Sequence, residues 1–390
     1  MKWDGQEFEA SLRRIAGFGL DNCIGANACM LACPVNRLHV NQNELDSVLI
    51  SGVWTERVQT FVTECVQCGD CTLACPAGVQ RDHMMLLLKA MLPAIPRPWQ
   101  RYYALKGRRD RSWLIALYDV AMRILAGPLG PYVDKAQLEQ KPLLFYFGCY
   151  IFSPSGAPAA TLQLADRLGL DYEVLGGVRS CCGWPQYLSG RMGYGQQMLT
   201  HLGTLIDQAR PETIVTGCAE CYAALLRLKK KSGAPWTPLT APEWLLQHAG
   251  RLAWKRFDHP IAYHDSCHVT KRAGKPGPAR QLLSLMAEVA EIAGRPQECV
   301  CCGYYNLHAN HALHHALHQD KLAAVRASGA SSMAVECVTC WESFHASFQG
   351  AGVPLWELMV AAEHATRDAP GGYRAPPRRT RPDGRLTLDV

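Results

Sequence analysis

A chain of 390 residues with 48% hydrophobic and 19% charged content can bury two or three cores and is neither disordered nor fibrous. Its net charge is only +6, and no aromatic–basic interleaving accompanies it, which argues against nucleic acid as a partner. Its eighteen cysteines are the outlier. Bunched at C-x2-C spacing, with no n-region and h-region of a secretory leader, they point to metal ligation in the reducing cytoplasm instead of a disulfide scaffold.

In chain order, SLRRIAGFGL predicts a helix within residues 1–20, with Leu12, Ile15 and Phe18 as its packing surface. Cys23, Cys29 and Cys33-Pro34 follow, then an insertion from Asn36 to Thr63 whose VWTERVQTFV stretch reads as a helix. Cys65, Cys68, Cys71 and Cys75-Pro76 complete a C-x2-C-x2-C-x3-C-P run, which resembles the bacterial two-cluster ferredoxins. In those proteins the fourth cysteine of each run serves the other cluster. The resemblance therefore assigns Cys33, Cys65, Cys68 and Cys71 to one [4Fe–4S] cluster. The first run has Ala26 where its second cysteine belongs, leaving Cys23, Cys29 and Cys75. Three thiolates suit a [3Fe–4S] cluster, as in the similar iron–sulfur subunit of succinate dehydrogenase. A [4Fe–4S] cluster with a water or side-chain ligand ranks next, and an empty site last.

RDHMMLLLKAML reads as a helix closed by Pro93 and Pro96, its Met and Leu residues core. A basic connection (RYYALKGRRDR) leads to an almost wholly apolar helix, Trp113 to Ala126, with Asp119 and Arg123 at i,i+4. That helix is shorter than the roughly 20 apolar residues a membrane span needs. It reads first as a buried helix between domains, and second as a surface against a membrane subunit or bilayer, helped by Arg101, Lys106, Arg108, Arg109 and Arg111. Gly127, Pro128, Gly130 and Pro131 then break the chain.

The second half is a duplication. Cys149, Cys181-Cys182-Gly183 and Cys218-Ala219-Glu220-Cys221 recur as Cys267, Cys301-Cys302-Gly303 and Cys337-Val338-Thr339-Cys340. Short apolar β-rich runs (LLFYF, ETIVT, PIAY, SSMAV) precede most of these cysteines and helical patterns follow, as in βαβ units of a parallel sheet. Ligands gather at the carboxyl ends of such strands. The pattern resembles the cysteine-rich CCG domain of the B component of heterodisulfide reductase and of the iron–sulfur subunits of glycolate oxidase and anaerobic glycerol-3-phosphate dehydrogenase. The resemblance covers residues 143–357. In the heterodisulfide reductase branch five cysteines per repeat hold a non-cubane [4Fe–4S] cluster, which implies one set of Cys149, Cys181, Cys182, Cys218 and Cys221 and another of Cys267, Cys301, Cys302, Cys337 and Cys340. Tyr304-Tyr305-Asn306 stands where relatives carry glycines and bears on access to the second set. His308, His311, His315 and His318 share a helical face that reads as solvated before it reads as a metal site, whereas His264 and His268 flank Cys267.

The expected architecture is α+β: a mainly helical ferredoxin-like module (1–92), a helical connection (93–140), two duplicated α/β parallel-sheet CCG domains (141–256 and 257–366), and a basic mobile tail (367–390) carrying Arg374, Arg378, Arg379, Arg381 and Arg385. No nucleotide-binding glycine motif or Ser-His-Asp set is present. The expected role is an iron–sulfur oxidoreductase subunit holding one [4Fe–4S] cluster, one [3Fe–4S] cluster and one or two clusters at the CCG sites. It would pass electrons from a flavoprotein dehydrogenase, or a heterodisulfide reductase A-like subunit, to a quinone or a quinone-reactive membrane subunit. A disulfide reductase with catalytic candidates at Cys181, Cys182, Cys301 and Cys302 is the alternative, and a zinc-bound scaffold a distant third. The expected location is the cytoplasm, peripheral on the cytoplasmic membrane face.

Overall fold

The computed structural model describes residues 5–92, 120–135, 137–293 and 295–367. The basic connection 101–111, Asp119 and the arginine-rich tail lie outside them. In the first module, α1 (Gly5–Asn22) lies along α6 (Arg81–Met91) through Leu12, Ala16 and Gly19. Phe18 is 56% exposed, contrary to its expected packing role. A helix turns 100° per residue, so a strict i,i+3,i+6 series drifts about 60° per step, and the buried stripe moves to Ala16. The insertion holds two helices where the sequence pattern gave one. α3 (Gln42–Ser51) starts at a capping box between Asn41 and Glu44, and α4 (Glu56–Glu64) is capped by the Thr55 hydroxyl. The short helices α2 (Ala28–Leu31) and α5 (Asp70–Leu73) pack together, each entered through a left-handed residue, Asn27 or Gly69.

Residues 143–240 form a four-stranded parallel sheet of order β2-β1-β3-β4: β1 (Leu143–Gly148), β2 (Tyr172–Gly176), β3 (Thr213–Thr216) and β4 (Thr237–Thr240). α7 (Ala157–Arg167), α8 (Trp184–Leu188), α9 (Met192–Ala209), α10 (Ala219–Ser232) and α11 (Ala241–His248) connect or follow these strands. The second sheet repeats the order as β6-β5-β7-β8, with β5 (Ile261–His264), β6 (Val289–Glu291), β7 (Ser332–Val335) and β8 (Leu355–Glu357). Its helices are α12 (Gly277–Met286), α13 (Asn306–Ala309), α14 (His311–Ala327), α15 (Val338–Gly350) and α16 (Leu358–Arg367), with a π-helical turn at His268–Arg272. Strand residues such as Phe145, Tyr146, Val215, Ala262 and Met333 are wholly buried, as central parallel strands require.

The repeats interlock. α16 packs on α7, with Arg167 paired to Glu363, and α11 packs on α12, so one apolar core runs through both. A second core joins the first module to the second repeat, placing Val62, Met85 and Leu88 with Val335, Phe344 and Leu317. In the described turn of the apolar helix, residues 120–125, Met122 is buried in the first core while Val120, Ile124 and Leu125 are exposed, so one face of the turn is buried and the other is not. Among the described residues no helix is long and apolar enough to cross a membrane.

Candidate functional site

The site is built at the strand ends. In each sheet the chain order reverses between the two central strands, β1 and β3 or β5 and β7, and that switch point opens a crevice at their carboxyl ends. Cys149 follows β1 directly, and Cys218 follows β3 and caps α10. Cys267 leads into the π-helical turn after β5, and Cys337 caps α15 after β7. Cys221 and Cys340 lie in the first turns of α10 and α15, where the helix dipole favours anionic sulfur.

The adjacent cysteines arrive on loops whose glycine is obligatory. Gly183 has φ +80°, and a Cβ there would lie 2.5 Å from the Gly195 carbonyl oxygen. Gly303 has φ +72°, and its Cβ would meet Leu317 at 2.8 Å. The left-handed turn after each Cys-Cys pair thus needs glycine twice over, for conformation and for space.

All ten thiols form one row. Cys149 contacts Cys181, then Cys182, Cys221 and Cys218 follow by successive side-chain contacts. Cys218 reaches Cys337 of the second repeat, and the row continues through Cys340, Cys302 and Cys301 to Cys267. The first module joins at that end. Cys68 is an electrostatic neighbour of Cys301 and Cys267, and the Lys271 ammonium interacts with both Cys68 and Cys267. Lys271 pairs with Asp70, whose other oxygen lies 3.3 Å from Cys68 Sγ.

Within the first module the thiols fall into two neighbourhoods. Cys29 lies by Cys23 and Cys75, with the buried Arg81 guanidinium 3.6 Å from Cys23 Sγ and paired to Asp46. The Val79 amide donates to Cys75 Sγ at 3.3 Å. Cys71 instead lies by Cys65 and Cys33, and Cys68 by Cys33. Burial pushes the Cys33 thiol up to about 12, with Cys65 adding to the rise.

These residues suit iron–sulfur clusters as donors. The sets are entirely soft sulfur, the ligand type that selects such clusters. A single zinc ion would need its donors on one point. Among the described residues no three His, Cys, Asp or Glu side chains converge in that way; the thiols follow one another in a row. Buried polar atoms without partners, Ser266 Oγ and His268 Nδ1, belong to residues that line a small cavity against Cys267, Cys301, Cys302, Cys337 and Cys340. Inorganic sulfide would accept from such donors.

Around that cavity the Tyr305 hydroxyl donates to Glu220 at 2.8 Å, and both line it with Tyr304. Burial and the neighbouring thiols hold the Glu220 carboxyl well above the ordinary range. Behind Cys302, Ser343 Oγ donates to its carbonyl at 2.9 Å, and His318 Nε2 lies 3.0 Å from the same oxygen. Burial lowers His318 to about 4, so the ring is neutral.

The expected histidine face is therefore corrected in part. His311 and His315 are exposed, but His314 and His318 are buried, since the apolar stripe of Leu313, Leu317, Val325 and their neighbours turns them inward onto α15. His264 and His268 are both buried beside the second set, with His268 edge-on to Trp184. Cys299, the one cysteine outside the motifs, escaped the sequence reading; its signal was its place two residues before Cys301. Its sulfur lies 3.3 Å from His264 Nδ1 and 3.3 Å from Lys321 Nζ.

Comparison with known proteins agrees with this layout. Residues 143–226 and 261–345 each match the CCG cysteine-rich domain, and residues 19–79 match the 4Fe-4S dicluster domain. The D component of the dihydromethanophenazine:CoB–CoM heterodisulfide reductase of Methanosarcina barkeri is 23% identical over 275 residues, covering 64% of this chain and 63% of that one. The B component of the fumarate reductase (CoM/CoB) of Methanothermobacter marburgensis is 24% identical over 160 residues, 41% of this chain and 32% of that one. The chain thus spans less than two thirds of the length of these curated relatives. The crystal structure of a hypothetical protein from Helicobacter pylori superposes with a TM-score of 0.50 at 10% identity, over 81% of this chain and 64% of that one, and shares its fold.

Proposed function

On the premise that the chain belongs to the CCG-domain iron–sulfur proteins, we propose that it is the electron-carrying subunit of an oxidoreductase. Electrons would come from a flavoprotein dehydrogenase or a heterodisulfide reductase A-like subunit and leave to a quinone or a quinone-reactive subunit. Cys33, Cys65, Cys68 and Cys71 would hold a [4Fe–4S] cluster, and Cys23, Cys29 and Cys75 a [3Fe–4S] cluster. The two five-cysteine sets would each hold a [4Fe–4S] cluster of non-cubane type. Bound there, such clusters supply one-electron redox chemistry.

The observation that carries this reading is the unbroken run of thiols from Cys68 through Cys301 and Cys337 to Cys149. The chain's own part is to hold these sulfurs in adjoining sets, exclude water from them and offset their negative charge. Arg81 does so beside Cys23 and Cys29, Lys271 between Cys68 and Cys267, and Arg227 beside Cys182.

A second reading, reduction of a disulfide at a CCG site, is favoured by the cavity on the second set. One comparison separates the two. Under relay, a soluble quinone restores turnover with the reduced partner, and added thiols leave the oxidised spectrum unchanged. Disulfide-dependent turnover, together with a thiol-induced spectral change, would establish the second reading instead. Full iron content and unchanged electron transfer in both Cys182→Ala and Cys302→Ala would remove the cluster assignment at the CCG sites.

A further inference from the structure

Cys299 belongs to none of the thiol sets, yet it is as buried as any of them, at 1% exposure. It sits on the loop that delivers Cys301 and Cys302, between two nitrogen-bearing side chains: Lys321 of α14 and His264 at the end of β5. Lys321 is only 6% exposed, and among the described residues it has no carboxylate partner and no hydrogen-bond acceptor except the Cys299 sulfur. A buried amine with three N–H donors and a single sulfur for a partner is an arrangement folding alone does not favour. It is also absent from the first repeat. There the position two before the Cys-Cys pair is Arg179, which is exposed, and the position of His264 is taken by Tyr146, whose hydroxyl donates to the Ser180 carbonyl. Holding five thiols therefore does not require the Cys299–Lys321 pair.

We propose that Cys299 and Lys321 form an oxidative modification site, in which a peroxide joins them by a reversible sulfur–nitrogen bond. The sulfur takes one oxygen from hydrogen peroxide, becoming a sulfenic acid as the peroxide is reduced and one water leaves. The Lys321 nitrogen then attacks that sulfur and expels the oxygen as a second water. One thiol, one ammonium and one peroxide yield one sulfenamide, two waters and one proton. The proton leaves with the two waters that the reaction releases. The sulfur loses two electrons and the peroxide gains them, so no further oxidant is needed. Sulfenic acids condense with nitrogen in this way when one is held against them and no second thiol competes. The link would tie the Cys301–Cys302 loop to α14, and thiol reductants would release it.

The test uses the full-length, anaerobically purified protein with its clusters. After stoichiometric hydrogen peroxide, alkylation and trypsin, Cys299 and Lys321 stay on one peptide, since no Lys or Arg stands between them. With the Lys321 nitrogen bonded, cleavage after Lys321 should be lost and the peptide should run on to Arg326. It should be about 2 Da lighter than the same sequence with both side chains free, the loss of two hydrogens that a sulfenamide demands, and dithiothreitol should restore cleavage at Lys321. Lys321→Arg keeps the charge but should abolish the link and leave Cys299 to oxidise onward to sulfinic acid. Recovery of Cys299 in the treated wild type as free thiol, sulfinic acid or a disulfide, with Lys321 still cleaved, would overturn the proposal. So would a bridge that retains the oxygen, recognised by a mass about 14 Da above that of the same peptide with both side chains free. Because the readout is a covalent mass, it is independent of whether the protein serves a quinone or a disulfide.

Discussion

Glu357 ends β8 with its carboxylate accepting the backbone N–H groups of Met359 at 2.7 Å and Val360 at 3.2 Å, while its second oxygen is buried without a partner. Burial pushes its carboxyl up to about 8. Between its ordinary value near 4.5 and about 8, the folded chain holds a proton that the unfolded chain has lost, so stability falls as pH rises through that window. Glu357→Gln keeps an acceptor for both amides and removes the titration. Its melting temperature should match the wild type at pH 5 and exceed it at pH 8.5, by an amount corresponding to about 1–3 kcal/mol. A wild-type melting profile that is flat from pH 5 to 8.5 would contradict this. A second single-residue test addresses Ala26, which occupies in the first run the place Cys68 holds in the second. The oxidised wild type should show the near-isotropic S = 1/2 signal of a three-iron centre. Ala26→Cys should replace that signal with one visible only after reduction. Four complete four-iron clusters by iron analysis of the wild type, with no such signal, would show that Ala26 does not govern the cluster type.

At the scale of elements, the π-helical turn His268–Arg272 fastens the second repeat to the ferredoxin-like module. Arg272 reaches Asp82 at 2.7 Å and the Gln67 carbonyl at 3.0 Å, and lies over the Trp184 ring, while Lys271 next to it pairs with Asp70. Asp82 is 4% exposed; burial alone would raise its carboxyl, but the Arg272, His83 and Thr72 contacts outweigh that and hold it far below the ordinary range. Removing one partner of such a pair leaves a buried charge uncompensated. Arg272→Met should therefore lower unfolding stability by about 3–5 kcal/mol, and Arg272→Met combined with Asp82→Asn should recover much of it. Additive losses in the double variant would mean that the two side chains act separately. None of this could be read in the sequence, where Asp82 and Arg272 are 190 residues apart and nothing marks HVTKR as a fastener. The central strands β1, β3, β5 and β7 were legible, because an apolar run stands just ahead of Cys149, Cys218, Cys267 and Cys337; the outer strands β2, β4, β6 and β8 lead into no such cysteine and went unread. Helix faces were read less well. Phe18 and the histidines of α14 were placed by spacing alone, and which face is buried depends on what packs there: α6 in one case, α15 in the other.

At the scale of the whole molecule, the sequence revealed the two cysteine sets as copies but not their order in space. Copies in sequence look equivalent; the fold makes them unequal. The second core joins the ferredoxin-like module to the second repeat, so Cys68 neighbours Cys267 and Cys301, whereas the first repeat meets this path through Cys218 and Cys337. Along the row of thiols the second set thus lies between the module's Cys68 and the first set, although α1 and α6 of the module also pack directly on α9 and α8 of the first repeat. If electrons arrive through the module, losing the second set should isolate the first, but losing the first should not isolate the second. Freeze-quenched electron paramagnetic resonance of the anaerobic protein, reduced through its partner, can follow both sets against time. In Cys302→Ala the signals of the first set should appear at least tenfold more slowly than in the wild type, while the ferredoxin-type signals keep their rate. In Cys182→Ala the second set should reduce at the wild-type rate. The reverse asymmetry would place electron arrival at the first repeat. Equal slowing in both variants would mean that the two sets are reduced as a unit, and that their order along the thiol row does not determine the path.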